Sequence, residues 1–165
     1  MFSIIGILLG FISILIGLIS VYISISISIK TSSIIKKTDD RTIKEAIKET
    51  EQEDIINLDS DNIDSIISLM QSNGRKHDAD YYYMLALKEY KNQYYLDAEE
   101  LFQKAIEMKN GSYPAALFYL GHTYLKQSNI PEDEYYNKAL ACFKQAKDLG
   151  HKYAARRLEI MDNEK

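Results

Sequence analysis

The hydrophobic positions divide this chain into three kinds of stretch. From Met1 to Ile29 apolar residues run on with only Ser, Gly and one Tyr among them, and no charged side chain occurs. At ~1.5 Å rise per residue, about 20 such residues cross a ~30 Å hydrocarbon core as a helix. A helix is the form one segment takes in lipid, because it pairs its backbone polar groups within itself. Ile and Ser alternate from Ile23 to Ile29 with the period of a strand, but they continue an unbroken apolar run, so the alternation carries little weight. A cleaved signal peptide is the competing reading. It fits less well: no Lys or Arg precedes the run, the run exceeds an h-region, and no small-x-small site with a polar flank follows it. No Cys near its end suggests a lipid anchor.

Within this helix the small residues are ordered. Ser3, Gly6, Gly10, Ser13, Gly17, Ser20 and Ser24 follow one another at spacings of 3 and 4 in strict alternation. That mean period of ~3.5 makes one stripe along a left-handed supercoil. Small residues let helix backbones approach in lipid, where packing drives association. The stripe is therefore expected to contact a second copy, as a homodimer, or another membrane helix. The simpler alternative is the general abundance of Gly and Ser in membrane helices. Lys30, Lys36, Lys37, Arg41 and Lys44 follow the apolar run. By the positive-inside rule they put the rest of the chain in the cytoplasm, anchored by a single pass.

The second kind of stretch is polar with short apolar faces. Ile43, Ala46 and Ile47 follow Thr38-Asp39-Asp40, where early acids favour a helix start. The acidic run Glu49 to Asp54 is expected to be a solvated spacer, with a docking motif as the less favoured alternative. Ile63, Ile66, Ile67 and Met70 then share one helical face, with Asp61 as N-cap and Asn73-Gly74 as stop.

The third kind is strongly periodic. Two helices are predicted at Ala79–Lys91 and Tyr95–Met108, joined by Asn92-Gln93 and closed by Asn110-Gly111. Pro114 opens a third that runs to about Gln127, since its missing N–H is harmless in a first turn. A loop with Pro131 leads to a fourth from about Glu134 to Leu149, stopped by Gly150. A short fifth runs from His151 to about Met161. No segment reads as a strand. Ala98, Phe102 and Ala105 match Ala139, Phe143 and Ala146 in spacing, and Leu85-Ala86 matches Leu120-Gly121. Ala116 and Leu120 match Ala154 and Leu158. Such internal similarity between helix-turn-helix units indicates a solenoid.

At these spacings the first unit resembles a tetratricopeptide repeat, carried by Tyr82, Leu85, Ala86, Ala98, Phe102 and Ala105, with Tyr90 one residue late. The second resembles a Sel1-like repeat, carried by Ala116, Leu120-Gly121, Tyr124, Pro131, Asp133, Lys138-Ala139, Phe143, Ala146, Gly150 and Ala154. The resulting expectation is all-α. A transmembrane helix over 1–29 is followed by a partly helical acidic connector over 30–60 and a leading helix and turn over 61–77. A tetratricopeptide-like repeat covers 78–112, a Sel1-like repeat 113–150, and a capping helix and tail 151–165. The resemblance implies a protein-binding scaffold whose first helices line a concave groove. Carried onto this chain, the groove residues are Asp80, Tyr83, Leu87, Tyr90, Phe118, His122, Leu125, Lys126, Tyr153 and Arg156. Lys126 and Arg156 are suited to an acidic side chain or a terminal carboxylate. The paired Lys and Asn of chaperone-binding repeats have no counterparts here. For Tyr83, Tyr90, Phe118 and His122 a core role competes with a groove role, whereas Tyr82, Tyr119 and Tyr124 are expected to pack.

Charge and composition sharpen this picture. Residues 30–71 hold six of the 20 basic and ten of the 24 acidic side chains, leaving fourteen of each for 72–165. The net charge of −4 therefore falls within residues 30–71, and nothing resembles the basic footprint of a nucleic-acid binder. His77, His122 and His151 lie on different elements, without the spacing of a zinc site, so no metal or cofactor is expected. Cys142 is the one cysteine and is expected to pack. No phosphate loop or nucleophile elbow occurs, and an enzyme is not expected. These features point to a membrane-tethered adaptor that binds a protein or peptide. A structural subunit of a membrane complex is the alternative.

Overall fold

A computed structural model of the chain describes the backbone of residues 2–52, 60–128 and 133–163. Side chains are described for 15–32, 37, 39–48, 61–128 and 133–163. All regular structure among these residues is helical: α1 (Phe2–Gln52), α2 (Ser60–Ser72), α3 (Ala79–Lys91), α4 (Tyr95–Met108), α5 (Pro114–Gln127), α6 (Glu134–Asp148) and α7 (Ala154–Asn163). The chain divides into two compact units at Arg41/Thr42.

In the first unit the stretch Leu15–Ser32 is long and apolar enough to cross a membrane. Its large apolar side chains, among them Leu15, Leu18, Val21, Ile25 and Ile29, are all at least half exposed. Ile23 to Ile29 are helical despite their alternation. A hydroxyl in such a helix satisfies itself on the preceding turn, and Thr31 Oγ1 donates to Ile27 O at 2.8 Å. Of the small-residue stripe, Gly17, Ser20 and Ser24 lie among the described side chains, and a Cβ on Gly17 meets nothing within 4 Å. Ser3, Gly6, Gly10 and Ser13 are helical, but their side chains lie outside the described ones.

Helix α1 passes the boundary predicted at Ile29 and continues to Gln52. The composition explains this, because no Gly or Pro stands between Gly17 and Gly74 to interrupt it. The side chains of the acidic run Glu49 to Asp54 lie outside the described residues. In the second unit Ile43 and Ile47 join the core with Ile63, Ile67 and Met70, and Ala46 and Ile66 are half-buried. The two short apolar faces of the connector thus become packing surfaces. Helix α2 begins at Ser60, one residue before the predicted cap, and Asp61 sits in its first turn near the positive end of the helix.

From α2 onward each helix packs chiefly on its neighbours in the chain, and α3 also touches α5. The two Ala-Phe-Ala triplets are the centre of this packing. Ala98, Phe102, Ala105, Ala139, Phe143 and Ala146 are all fully buried. Phe102 lies parallel to Tyr119 at 6.2 Å and tilted against Tyr83 at 6.1 Å. Phe143 meets Phe118 edge-on at 5.6 Å. Burying each Phe ring contributes about 2–3 kcal/mol, and the flanking alanines allow the neighbouring helices to come close enough to cover it.

Four helices end in the same way. After α2, Gly74 N donates to Gln71 O and Arg75 N to Met70 O. After α3 the pairs are Gln93 N to Tyr90 O and Tyr94 N to Glu89 O. After α4 they are Asn110 N to Glu107 O and Gly111 N to Ile106 O, and after α6 Gly150 N to Lys147 O and His151 N to Ala146 O. This is the Schellman motif, which satisfies terminal carbonyls and needs a left-handed residue. That residue is Gly74, Gln93, Asn110 or Gly150, each with positive φ. Helix α6 starts on Asp133, whose Oδ1 accepts from Tyr136 N at 2.7 Å and from Ser128 Oγ at 2.9 Å. The last helix starts at Ala154, three residues later than predicted, because His151 to Tyr153 form the turn that follows Gly150.

Candidate functional site

The residues assigned to a groove separate into two groups. Tyr83 and Leu87 are fully buried, and Tyr90 and Phe118 nearly so. Tyr83 is enclosed by Tyr113 at 5.1 Å and by Phe102 and Tyr119 at about 6 Å. These four are packing residues, which corrects the groove assignment for them. The physical reason is that α3 is covered by α2 and α4 and also touches α5, so little of it faces solvent. Tyr82 packs against the core as expected, half-buried, with Lys104 Nζ over its ring at 4.1 Å.

Asp80 is half-buried and engaged within the chain. Its carboxylate meets Arg75 Nη2 at 3.4 Å and Lys109 Nζ at 3.3 Å, and accepts from the Tyr113 hydroxyl at 3.2 Å. It ties the start of α3 to the end of α4 and the start of α5. Arg75 also pairs with Asp78. These contacts are structural.

His122, Leu125, Lys126, Tyr153 and Arg156 remain accessible in whole or part. Two of them belong to a cluster that sequence reasoning only partly found. His122 lies edge-on to Phe118 at 4.7 Å and to Phe143 at 5.1 Å. His151 stacks on Phe118 at 4.2 Å and stands 6.2 Å from Tyr153. Phe118 is thus the floor shared by two imidazoles. Burial first, then the positive charges of Arg157 and Lys126 and the nearby His151, push His122 down to about 3. Burial lowers His151 to about 4. Both rings are neutral at pH 7. Burial, followed by the nearby Tyr95, pushes the Tyr90 phenol up to about 12, and Arg157 opposes that rise. The positive charge of Arg157 on α7 thus lowers both the Tyr90 phenol of α3 and the His122 ring of α5.

The sequence reading named Arg156 and missed Arg157 and His151. Neighbouring residues on a helix differ by about 100° in direction, so an error of one position changes the face. His151 looked like the first residue of a helix, whereas the turn carries it back over Phe118.

A separate cleft of about 550 Å³ is lined by Gln93, Tyr94, Tyr95, Leu96, Asp97, Lys126, Gln127 and Tyr135. Tyr94 and Leu96 are largely exposed. Tyr95 packs edge-on against Tyr90 at 5.6 Å, and Gln127 Nε2 donates to Glu99 at 2.9 Å. Lys126 lines the cleft, and its charge is among those that lower His122. Two aromatic walls, an aliphatic side chain and an amide offer apolar area and hydrogen bonds, the mixture that suits a peptide.

Among the described residues, no group of three or more His, Cys, Asp or Glu side chains is placed to hold a metal ion. Cys142 is half-buried, and its thiol is pushed up to about 11 by burial and the Glu99 charge, so it is protonated at neutral pH. In comparisons with family models, curated proteins and solved structures the chain has no significant match.

Proposed function

We propose that this protein is a membrane-tethered adaptor. In this reading α1 crosses the bilayer through Leu15–Ser32, the flanking basic residues hold the rest of the chain in the cytoplasm, and a short helical-repeat solenoid binds a protein segment. The observation that carries the reading is the coexistence of two features. One helix exposes its apolar side chains throughout a membrane-length stretch, and a separate helical unit has an aromatic cleft at Tyr94, Tyr95, Lys126 and Tyr135. Tethering would raise the local concentration of the bound segment near the membrane, and pairing through the small-residue stripe would add avidity.

Membrane fractionation with alkaline extraction, followed by cross-linked affinity capture of the full-length protein, tests it. The same capture is run with a Tyr94→Ala, Lys126→Ala variant, whose exposed positions leave the core intact. Retention in the extracted membranes and a partner lost from the variant are the expected results. Release of the protein by alkali overturns the tether. A partner retained by both forms favours a structural subunit with one fixed interface, and Gly10→Leu with Gly17→Leu then tests whether the stripe supplies it.

A further inference from the structure

Helix α7 packs chiefly on α6, and the short connection through residues 149–153 makes the two an antiparallel pair. Between them lies a cleft of about 470 Å³ that shares no residue with the aromatic one. Its α6 wall carries Lys144 and Lys147, with Asp148 at the helix end, and its α7 wall carries Glu159 and Asp162. All five side chains are exposed. Leu140 and Leu158, both half-buried, are the main apolar part of the lining.

The internal match between α5 and α7 shows what such a cleft is shaped to hold. Leu158, Glu159 and Asp162 stand where α5 has Leu120, Gly121 and Tyr124. Those α5 positions are buried, and α6 lies over them: Phe143 rests against Gly121, and Tyr135 stands 6.1 Å from Tyr124. The equivalent face of α7 has no helix over it among the described residues. Residues spaced by three and four along both walls make ridges that receive another helix. Where α5 offers a glycine and a tyrosine to its covering helix, α7 offers two carboxylates. A helix pair that fits must therefore bring cations to α7 and anions to the lysines of α6, and the α6–α7 pair itself carries both.

We propose that a second copy of this chain occupies the cleft, related by a two-fold axis that runs along it. Such an axis sets α6 of each copy over α7 of the other. Lys144 lies four residues before the end of α6 and Glu159 five residues after the start of α7, so both stand about one helical turn from the connection. The axis preserves that depth, and Lys144 of each copy meets Glu159 of the other. An axis across the helices would instead put α6 on α6 and lysine against lysine, so the charges select one arrangement. Leu140 and Leu158 lose their remaining exposure and supply the apolar drive. The contact goes beyond the adaptor reading and gives each assembly two aromatic clefts.

The test uses full-length protein in detergent micelles, carrying Gly10→Leu and Gly17→Leu so that pairing through α1 does not enter. Self-association is read by energy transfer between donor and acceptor populations labelled at the carboxyl terminus, and it is expected to weaken as salt rises. Lys144→Glu with Lys147→Glu should weaken it at least about tenfold, and so should Glu159→Lys with Asp162→Lys, since each sets like charges together in both halves of the interface. Mixing the two variants should restore the association of the parent, because every wall then meets one of opposite sign. That recovery also shows both variants to be folded. A parent that stays monomeric overturns the proposal. Variants that associate like the parent overturn it too, as does a loss that mixing does not repair. None of these outcomes bears on the aromatic cleft.

Discussion

Gly121 lies against the ring edge of Phe143 so closely that a Cβ on it would meet Cε1 at 2.8 Å and Cζ at 2.9 Å. The ring is fully buried and held by Phe118 and His122, so it has little room to retreat. In the first repeat unit the matching position is Ala86, where the extra methyl is accommodated. Gly121→Ala is expected to destabilise the second unit by about 1–3 kcal/mol through overpacking. The same substitution in a Phe143→Leu background should cost less, since the obstructing edge is gone. Denaturation followed by Tyr fluorescence measures both: the chain has no Trp, and all its Tyr except Tyr22 lie between Tyr81 and Tyr153.

Gln93 adopts the left-handed conformation that Gly74 and Gly150 supply at the equivalent helix ends. A side chain there costs about 1 kcal/mol relative to glycine. Gln93→Gly should therefore stabilise the unit by about 1 kcal/mol, and Gly150→Ala should destabilise it by a similar amount. An unchanged midpoint for Gln93→Gly would show that the Gln side chain offsets its own strain.

Asp133 caps α6 through Tyr136 N and also accepts from Ser128, closing the loop between α5 and α6. Asp133→Ala is expected to cost about 1 kcal/mol, whereas Asp133→Asn, which keeps an acceptor, should cost little. Hydrogen exchange at the first turn of α6 should quicken in the first variant alone.

Acid is expected to destabilise the helical unit through His122 and His151. Above about pH 6.5 both residues are neutral in the folded and unfolded chain alike, and their neutral packing contributes fully. Below that value the unfolded chain takes up protons, while folded His122 resists them down to about 3 and His151 down to about 4. Stability should then fall on the order of 1 kcal/mol per pH unit for His122, with a smaller share from the more exposed His151. The positive charges of Arg157 and Lys126 add to its reluctance. His122→Phe is expected to flatten the dependence between pH 6.5 and 4, as read by urea midpoints at each pH.

How much of this was legible in the sequence depends on the range of the interaction. Helix ends at Gly74, Asn110 and Gly150 and the Pro114 start are local matters of backbone conformation and one or two hydrogen bonds, and the residue types name them. The buried Ala-Phe-Ala triplets were visible because small-large-small spacing on one helical face has few uses other than close packing. The apolar stretch before Lys30 was visible as a membrane-length helix from its composition alone.

The faces of the helices were another matter. Tyr82 and Tyr83 are adjacent, chemically identical and both compatible with an amphipathic pattern, yet Tyr83 is enclosed and Tyr82 is half open. Arg156 and Arg157 present the same ambiguity on α7. Which member of such a pair turns inward is decided by what packs against the helix, α2, α4 and α5 for α3 and α6 for α7. The sequence by itself determined the elements, their ends and the residues that fill their closest contacts. Tertiary packing decided which Tyr and Arg meet solvent, and it set His151 over Phe118 of α5 and His122 against Phe143 of α6. Burial and electrostatic coupling depend on distances across helices, and those exist only once the helices have docked.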